Sequence, residues 1–121
     1  MGIPAAEYRL SQRRRKYGNT PVEIDGMRFD SKAEGKHYLL LKQRMKAGEI
    51  GNLRCQERYV LKGANGEVIC VYVADFVFYD HAEKRERVID VKGGKATQTP
   101  LFRIKQKLMR ANLGIEVEVV Q

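Results

Sequence analysis

Apolar and polar positions along this chain follow two periods, and the changes of period mark its elements. Val22-Glu23-Ile24-Asp25-Gly26-Met27-Arg28-Phe29 alternates with period two around Asp25-Gly26, a pair suited to the positive backbone angles of a tight turn, and predicts a β-hairpin. From Ser31 the period becomes helical. Ser31 is a suitable N-cap, and Ala33, His37, Leu40, Leu41 and Met45 form one broad apolar stripe. Gly48 suits the left-handed position after the last turn. Three strands are then predicted, at about Arg54–Lys62, Val68–Tyr79 and Arg85–Lys92. Asn65-Gly66 makes the first turn between them and Asp80–Lys84 the second. A second helix is predicted from Thr99 to Asn112, with Thr99 as cap, Pro100 at the first helical position and Gly114 beyond the end. Ile115–Val120 closes the chain as a strand. The order is hairpin, α, β, β, β, α, β, with no repeat or low-complexity linker.

Two of these strands carry charge in unusual places. Ile69-Cys70-Val71-Tyr72-Val73-Ala74-Asp75-Phe76-Val77-Phe78-Tyr79 is an apolar run of the kind expected when a strand is covered on both faces, and Asp75 sits inside it. An unpaired carboxylate there would cost several kcal/mol, so something must compensate it. In Arg87-Val88-Ile89-Asp90-Val91-Lys92-Gly93, alternation puts Asp90 and Lys92 on one face and Ile89 and Val91 on the other. Two acids and a lysine on adjacent strands are a donor set for a divalent metal and for phosphodiester chemistry.

Composition narrows the partner. With 121 residues, the chain has room for one domain with a modest core. Lys and Arg number 23 against 15 Asp and Glu, a net charge of +8 that favours a polyanion, with nucleic acid preferred to an anionic membrane. No segment is long and apolar enough to cross a bilayer, and the start lacks secretion and myristoylation signals. Cys55 and Cys70 lie in strand patterns and read as reduced core thiols of an intracellular, cytoplasmic protein. His37 and His81 are too few and too separated for a histidine zinc site. Residues 1–20, with Arg13, Arg14, Arg15 and Lys16, read either as a basic arm that contacts phosphates or as a solvated tail. Residues 21–121 read as a single domain.

Three further polar positions carry two readings each. Glu34 falls within the apolar stripe of the first helix, yet Ser31-Lys32-Ala33-Glu34 also fits a capping box in which Glu34 only caps the helix. On the second helix, Leu101, Phe102, Ile104, Leu108, Met109 and Leu113 are the expected inner face. Lys105 projects among them, although a lysine stem also snorkels along apolar surface. Gln56 is either a polar group of the site or an ordinary solvent-facing strand residue. Each bland reading stands alone, but a shared anionic pocket explains Glu34, Asp75, Asp90, Lys92 and Lys105 together.

Ala74-Asp75, Asp90-Val91-Lys92 and the helix–three strands–helix–strand order resemble the PD-(D/E)XK nuclease superfamily. The local wording around Glu34, Asp75 and Asp90 is similar to a small phage and prophage family related to Holliday-junction resolvases. Ala74 stands where proline names the motif. The resemblance implies an α/β (α+β), restriction-endonuclease-like core: a mixed central sheet flanked by helices. It implies an endonuclease acting on DNA in a bacterial cell, with Mg²⁺ or Mn²⁺ held by Asp75, Asp90, the Val91 carbonyl and Glu34. Lys92 would act on the attacking water and on transition-state charge, and Lys105 and Gln56 would position phosphate or nucleophile. Lys95, Arg103, Lys107 and Arg110, with the arm, would track the nucleic-acid backbone. No base-reading element is evident, so the expected substrate is branched or nicked DNA rather than a sequence. Symmetric cutting of two strands would require a homodimer. The competing readings are a non-catalytic nucleic-acid-binding module on the same fold and a basic RNA-binding protein. The latter leaves Asp75 unexplained.

Overall fold

The computed structural model describes residues 20–93 and 98–121. The arm residues Arg13, Arg14, Arg15 and Lys16, and Lys95, lie outside that range. The chain divides into two compact units, Met1–Lys36 and His37–Gln121.

In the first unit, β1 (Val22–Ile24) and β2 (Met27–Phe29) pair antiparallel, with Ile24 opposite Met27. Asp25 and Gly26 have φ of 53° and 77°, so both turn residues are left-handed, as the Asp-Gly signal requires. The helix α1 (Lys32–Lys46) begins in this unit. Gly35 occurs mid-helix for a steric reason. A Cβ there would lie 2.6 Å from Val22 Cγ2 and 3.1 Å from Ile24 Cδ1, so only glycine lets β1 approach this turn.

The second unit holds β3 (Ile50–Lys62), β4 (Val68–Asp80), β5 (Arg85–Val91), α2 (Pro100–Leu113) and β6 (Val117–Val120). The sheet order is β3-β4-β5-β6, antiparallel except for the parallel pair β5–β6. The class is mixed α+β, with a mixed sheet. β3 begins four residues before the expected Arg54. Asn52 adopts φ 51° within a register shift between Gly51 and Arg54, so the strand passes through a stretch whose Gly-Asn sequence reads as a loop.

α2 is capped at both ends as its sequence predicts. Thr99 Oγ1 accepts a 3.1 Å bond from the Phe102 N–H, and Gly114, at φ 65°, donates to the Arg110 carbonyl. Phe102 and Met109, seven residues apart, anchor its inner stripe in a core with Leu61, Tyr72, Ala74, Val77, Val88 and Val117. The expected stripe was too broad. Leu101, Ile104 and Leu113 are about half exposed, because the helical rotation carries Leu101 and Ile104 off the stripe that Phe102 defines. In α1 the buried apolar side chains are Tyr38 and Leu41, whereas the expected Leu40 and Met45 are exposed. That stripe included Leu41 but omitted Tyr38, and so was rotated away from the buried face. The Arg44 guanidinium lies 5.9 Å from the Phe78 ring centroid, so this part of α1 meets the sheet at Phe78, outside the α2 core cluster.

β4 is covered on both faces only in its second half. Phe76, Val77 and Phe78 are all buried, while Val68, Ile69 and Val73 are exposed. The expectation of two covered faces therefore fails for Ile69–Val73, which extends beyond the last β4–β5 pair.

Candidate active site

β5 changes partners along its length, and the candidate residues stand where it does so. It pairs with β4 from Arg85–Asp80 to Ile89–Phe76, and with β6 from Val88–Val117 to Val91–Val120. At Asp90 and Val91 only the β6 pairing continues, so a fork opens between β4 and β5. Extending the last register by one residue sets Asp75 across from Asp90. The ladder does not continue there. Instead the Val91 N–H donates to Asp75 Oδ2 at 2.7 Å. The carboxylate that threatened an apolar strand is thus bonded to a main-chain donor at the fork.

The alternation of β4 slips at the same place. Tyr72, Ala74 and Val77 all belong to the α2 core, although Ala74 and Val77 are three residues apart and would face opposite ways in a regular strand. Gln56 lies across from Asp75 in the β3 register, and that pair is missing from the ladder. Gln56 has φ 56°, an uncommon value for a non-glycine residue inside a strand, and its side chain is exposed. The sheet is therefore irregular on both strands at Asp75.

Asp90 is 5% exposed. Its Oδ2 accepts a 2.6 Å bond from the Tyr72 hydroxyl, and its Oδ1 lies 3.1 Å from Lys92 Nζ. The Lys92 ammonium also sits 4.2 Å from the centroid of the Phe102 ring. The predicted Asp90–Lys92 face is thus a direct ion pair, closed from above by the first turn of α2. Burial, then the charge of Asp90, pushes the Tyr72 phenol far above its ordinary range, and Asp75 contributes in the same direction. Tyr72 is therefore a neutral donor near both carboxylates. Burial, then the Asp75 charge, also raises the Cys55 thiol, which makes it less reactive. Both cysteines are free thiols.

The other candidates divide. Lys105 is half-buried on α2. Glu34 belongs to the first unit, where its local geometry is a cap: Ser31 Oγ accepts from the Glu34 N–H at 3.1 Å, and Glu34 Oε2 accepts from the Asp30 N–H at 3.3 Å. Arg103 and Lys107 are exposed. Arg110 is exposed too, but it is clamped through two bonds of 2.8 and 2.9 Å to Glu116. Among the described residues, no group of three or more His, Cys, Asp or Glu side chains is placed to hold a metal ion.

Residues 14–118 match a family model whose description is "Protein of unknown function (DUF1064)". The chain belongs to that family. No curated protein and no solved structure matches it. The matched stretch of this DUF1064 chain takes in the whole fork and both helices.

Sequence reasoning missed Tyr72. One signal was present: a tyrosine in a strand destined for burial needs a partner for its hydroxyl, although the sequence does not say which of the polar residues on the adjacent strands supplies it. It also missed the role of Arg87. Its Nε and Nη2 donate to Glu118 at 2.9 and 2.6 Å, its Nη1 donates to Asp80 at 3.1 Å, and it lies 5.5 Å from the Phe78 ring centroid. No helix among the described residues is long and apolar enough to cross a membrane.

Proposed function

We propose that this chain is a metal-dependent endonuclease of the PD-(D/E)XK type that hydrolyses phosphodiester bonds in branched or nicked DNA. The observation that carries the reading is the fork: buried Asp90 paired to Lys92, with Asp75 anchored beside it on the neighbouring strand. The element order and the parallel final strand agree with a restriction-endonuclease-like core. The net charge of +8 supports a polyanionic substrate.

The donor chemistry fits Mg²⁺ or Mn²⁺. Asp75, Asp90 and the Val91 carbonyl offer hard oxygens, and small hard cations accept few protein ligands and keep several waters. Glu34 completes a helix cap with Ser31 and Asp30 in the first unit. When bound, the cation would supply Lewis-acid polarisation of a phosphoryl oxygen. The chain's own residues do the rest. Asp75 and Asp90 fix the negative charge at the fork, and Tyr72 holds Asp90. Lys92 places an ammonium where negative charge grows on the phosphate in the transition state. Phe102 covers that ammonium and limits its access to water. Lys105, Arg103 and Lys107 offer phosphate contacts along α2.

The test is incubation of the purified chain with a labelled four-way junction, a nicked duplex and an intact duplex of matched sequence, with Mg²⁺, Mn²⁺ or EDTA. Cleavage of the branched or nicked substrate with either ion, and none with EDTA, is expected. Binding of DNA without cleavage under any of these conditions would overturn the enzyme reading. It would favour a non-catalytic nucleic-acid-binding module on the same fold. Selective binding of RNA would favour a basic RNA-binding protein.

A further inference from the structure

The two oxygens of Asp90 are held by donors of different kinds. Tyr72 is 3% exposed, and its ring is fixed in the core, with a centroid 6.4 Å from that of Phe102. Its hydroxyl reaches Oδ2 from β4, on the far side of the fork. Lys92 stands at the end of β5 on a flexible four-carbon stem, with a side chain 20% exposed. It has a second attraction besides Oδ1, the Phe102 ring at 4.2 Å. Its ammonium can therefore leave Oδ1 without being stranded in apolar surroundings, whereas Tyr72 has no comparable freedom.

We propose that Tyr72 is the fixed partner of Asp90 and Lys92 the exchangeable one, so that Tyr72 is a positioning residue that keeps Oδ1 presented to a divalent cation while Lys92 yields that oxygen. The inference rests on the nuclease reading above, because it assigns the carboxylate to cation binding. An ammonium and a dication repel when they share one oxygen, so Lys92 opposes cation entry while Tyr72 supports it. The two side chains touch the same carboxylate, yet their removal should act on cation affinity with opposite signs. A tyrosine that had merely found a convenient acceptor for its hydroxyl would show no such effect.

The chain has six tyrosines and no tryptophan, so Tb³⁺ emission excited through tyrosine reports a lanthanide held near a tyrosine ring. Affinity is measured separately, by calorimetry with Mn²⁺. The wild-type chain should bind both ions with sensitised Tb³⁺ emission. Tyr72→Phe should lose most of that emission and bind Mn²⁺ about tenfold more weakly, the scale expected when a ligand's supporting hydrogen bond is removed. Lys92→Met, which keeps the stem and removes the charge, should bind Mn²⁺ more tightly than wild type. A folded Tyr72→Phe with unchanged Mn²⁺ affinity would overturn the proposal, as would weaker binding in Lys92→Met. The second variant decides the matter if circular dichroism shows that the first does not fold. Failure of the wild-type chain to bind either ion would remove the nuclease reading as well. Normal wild-type binding with an indifferent Tyr72→Phe would remove this inference alone.

Discussion

Asp80 and Asp90 are buried alike, at 4% and 5% exposure, yet they are held in different ways. Asp80 stands at one end of the β4–β5 ladder, and Asp90 lies just past the other. Asp80 accepts from the main-chain N–H groups of Ala82 and Glu83 at 2.9 and 3.0 Å, and from the Arg87 guanidinium at 3.1 Å. Arg87 then grips Glu118 with two further bonds and ties the β4–β5 turn to β6. These donors are main-chain groups and a planar fork, all fixed in place. Asp90 is held by one hydroxyl and one ammonium, both carried on side chains. A carboxylate surrounded by fixed donors is a staple. One held by a fixed hydroxyl on one oxygen and a movable ammonium on the other, at a break in the sheet, is suited to exchanging one partner. The difference lies in who donates, and burial alone does not reveal it.

The largest expected effect separates the two directly. Asp90→Asn should abolish cleavage and leave DNA binding intact or improved, since it removes a metal ligand and also a charge that repels phosphate. Fluorescence anisotropy with a junction substrate, run beside the cleavage assay, measures both. Full activity in the folded variant would falsify the assignment of Asp90 to the site.

Lys92→Ala comes next. A single well-placed donor to transition-state charge contributes roughly 3 kcal/mol, so single-turnover cleavage at saturating Mg²⁺ should fall about a hundredfold with the fold retained. Recovery of the rate only at higher Mg²⁺ would move Lys92 into organisation of the metal site. A near-normal rate would leave it as a simple ion-pair partner of Asp90.

On the other side of the comparison, Arg87→Met should leave cleavage per folded molecule unchanged and cost stability. Removing one partner of a buried ion pair costs several kcal/mol, but Arg87 and Glu118 are partly exposed, so about 2 kcal/mol is the expected loss in urea denaturation. Loss of activity in a folded Arg87→Met would mean that the two ends of the ladder are coupled, and the contrast drawn above would fail.

The element order was legible because the periods are strong and the turns carry their own chemistry. Asp25-Gly26, Asn65-Gly66, Thr99-Pro100 and Gly114 each mark a boundary with a physical reason. The shared face of Asp90 and Lys92 followed from strand alternation alone, and the structure adds their ion pair. Two things were not legible. The slip of alternation at Ala74–Val77 and the left-handed backbone of Gln56 depend on how β3 and β4 meet, and no local propensity encodes that. The partners of Tyr72 and Arg87 depend on register across three strands, which only the assembled sheet supplies. Glu34 was legible in both of its readings, and its local bonds realise the capping one.

The smallest effect concerns acid. Main-chain N–H bonds from Glu83, followed by Arg87, hold the Asp80 carboxyl below its ordinary value, and Arg87 does the same for Glu118. A carboxyl whose folded pKa is depressed stabilises the fold above its unfolded value of about 4, and that contribution is lost as pH falls through the folded value. The urea midpoint of the wild-type chain should therefore drop as the pH is lowered from about 4.5 toward 2.5. In Arg87→Met, Glu118 loses the main cause of its shift, while Asp80 keeps its main-chain donors. The variant should then show a shallower acid dependence rather than none, and the stability gap between the two proteins should narrow at low pH. A gap of constant size down to about pH 2.5 would show that Arg87 stabilises the fold through its packing against Phe78 and not through its two carboxylates.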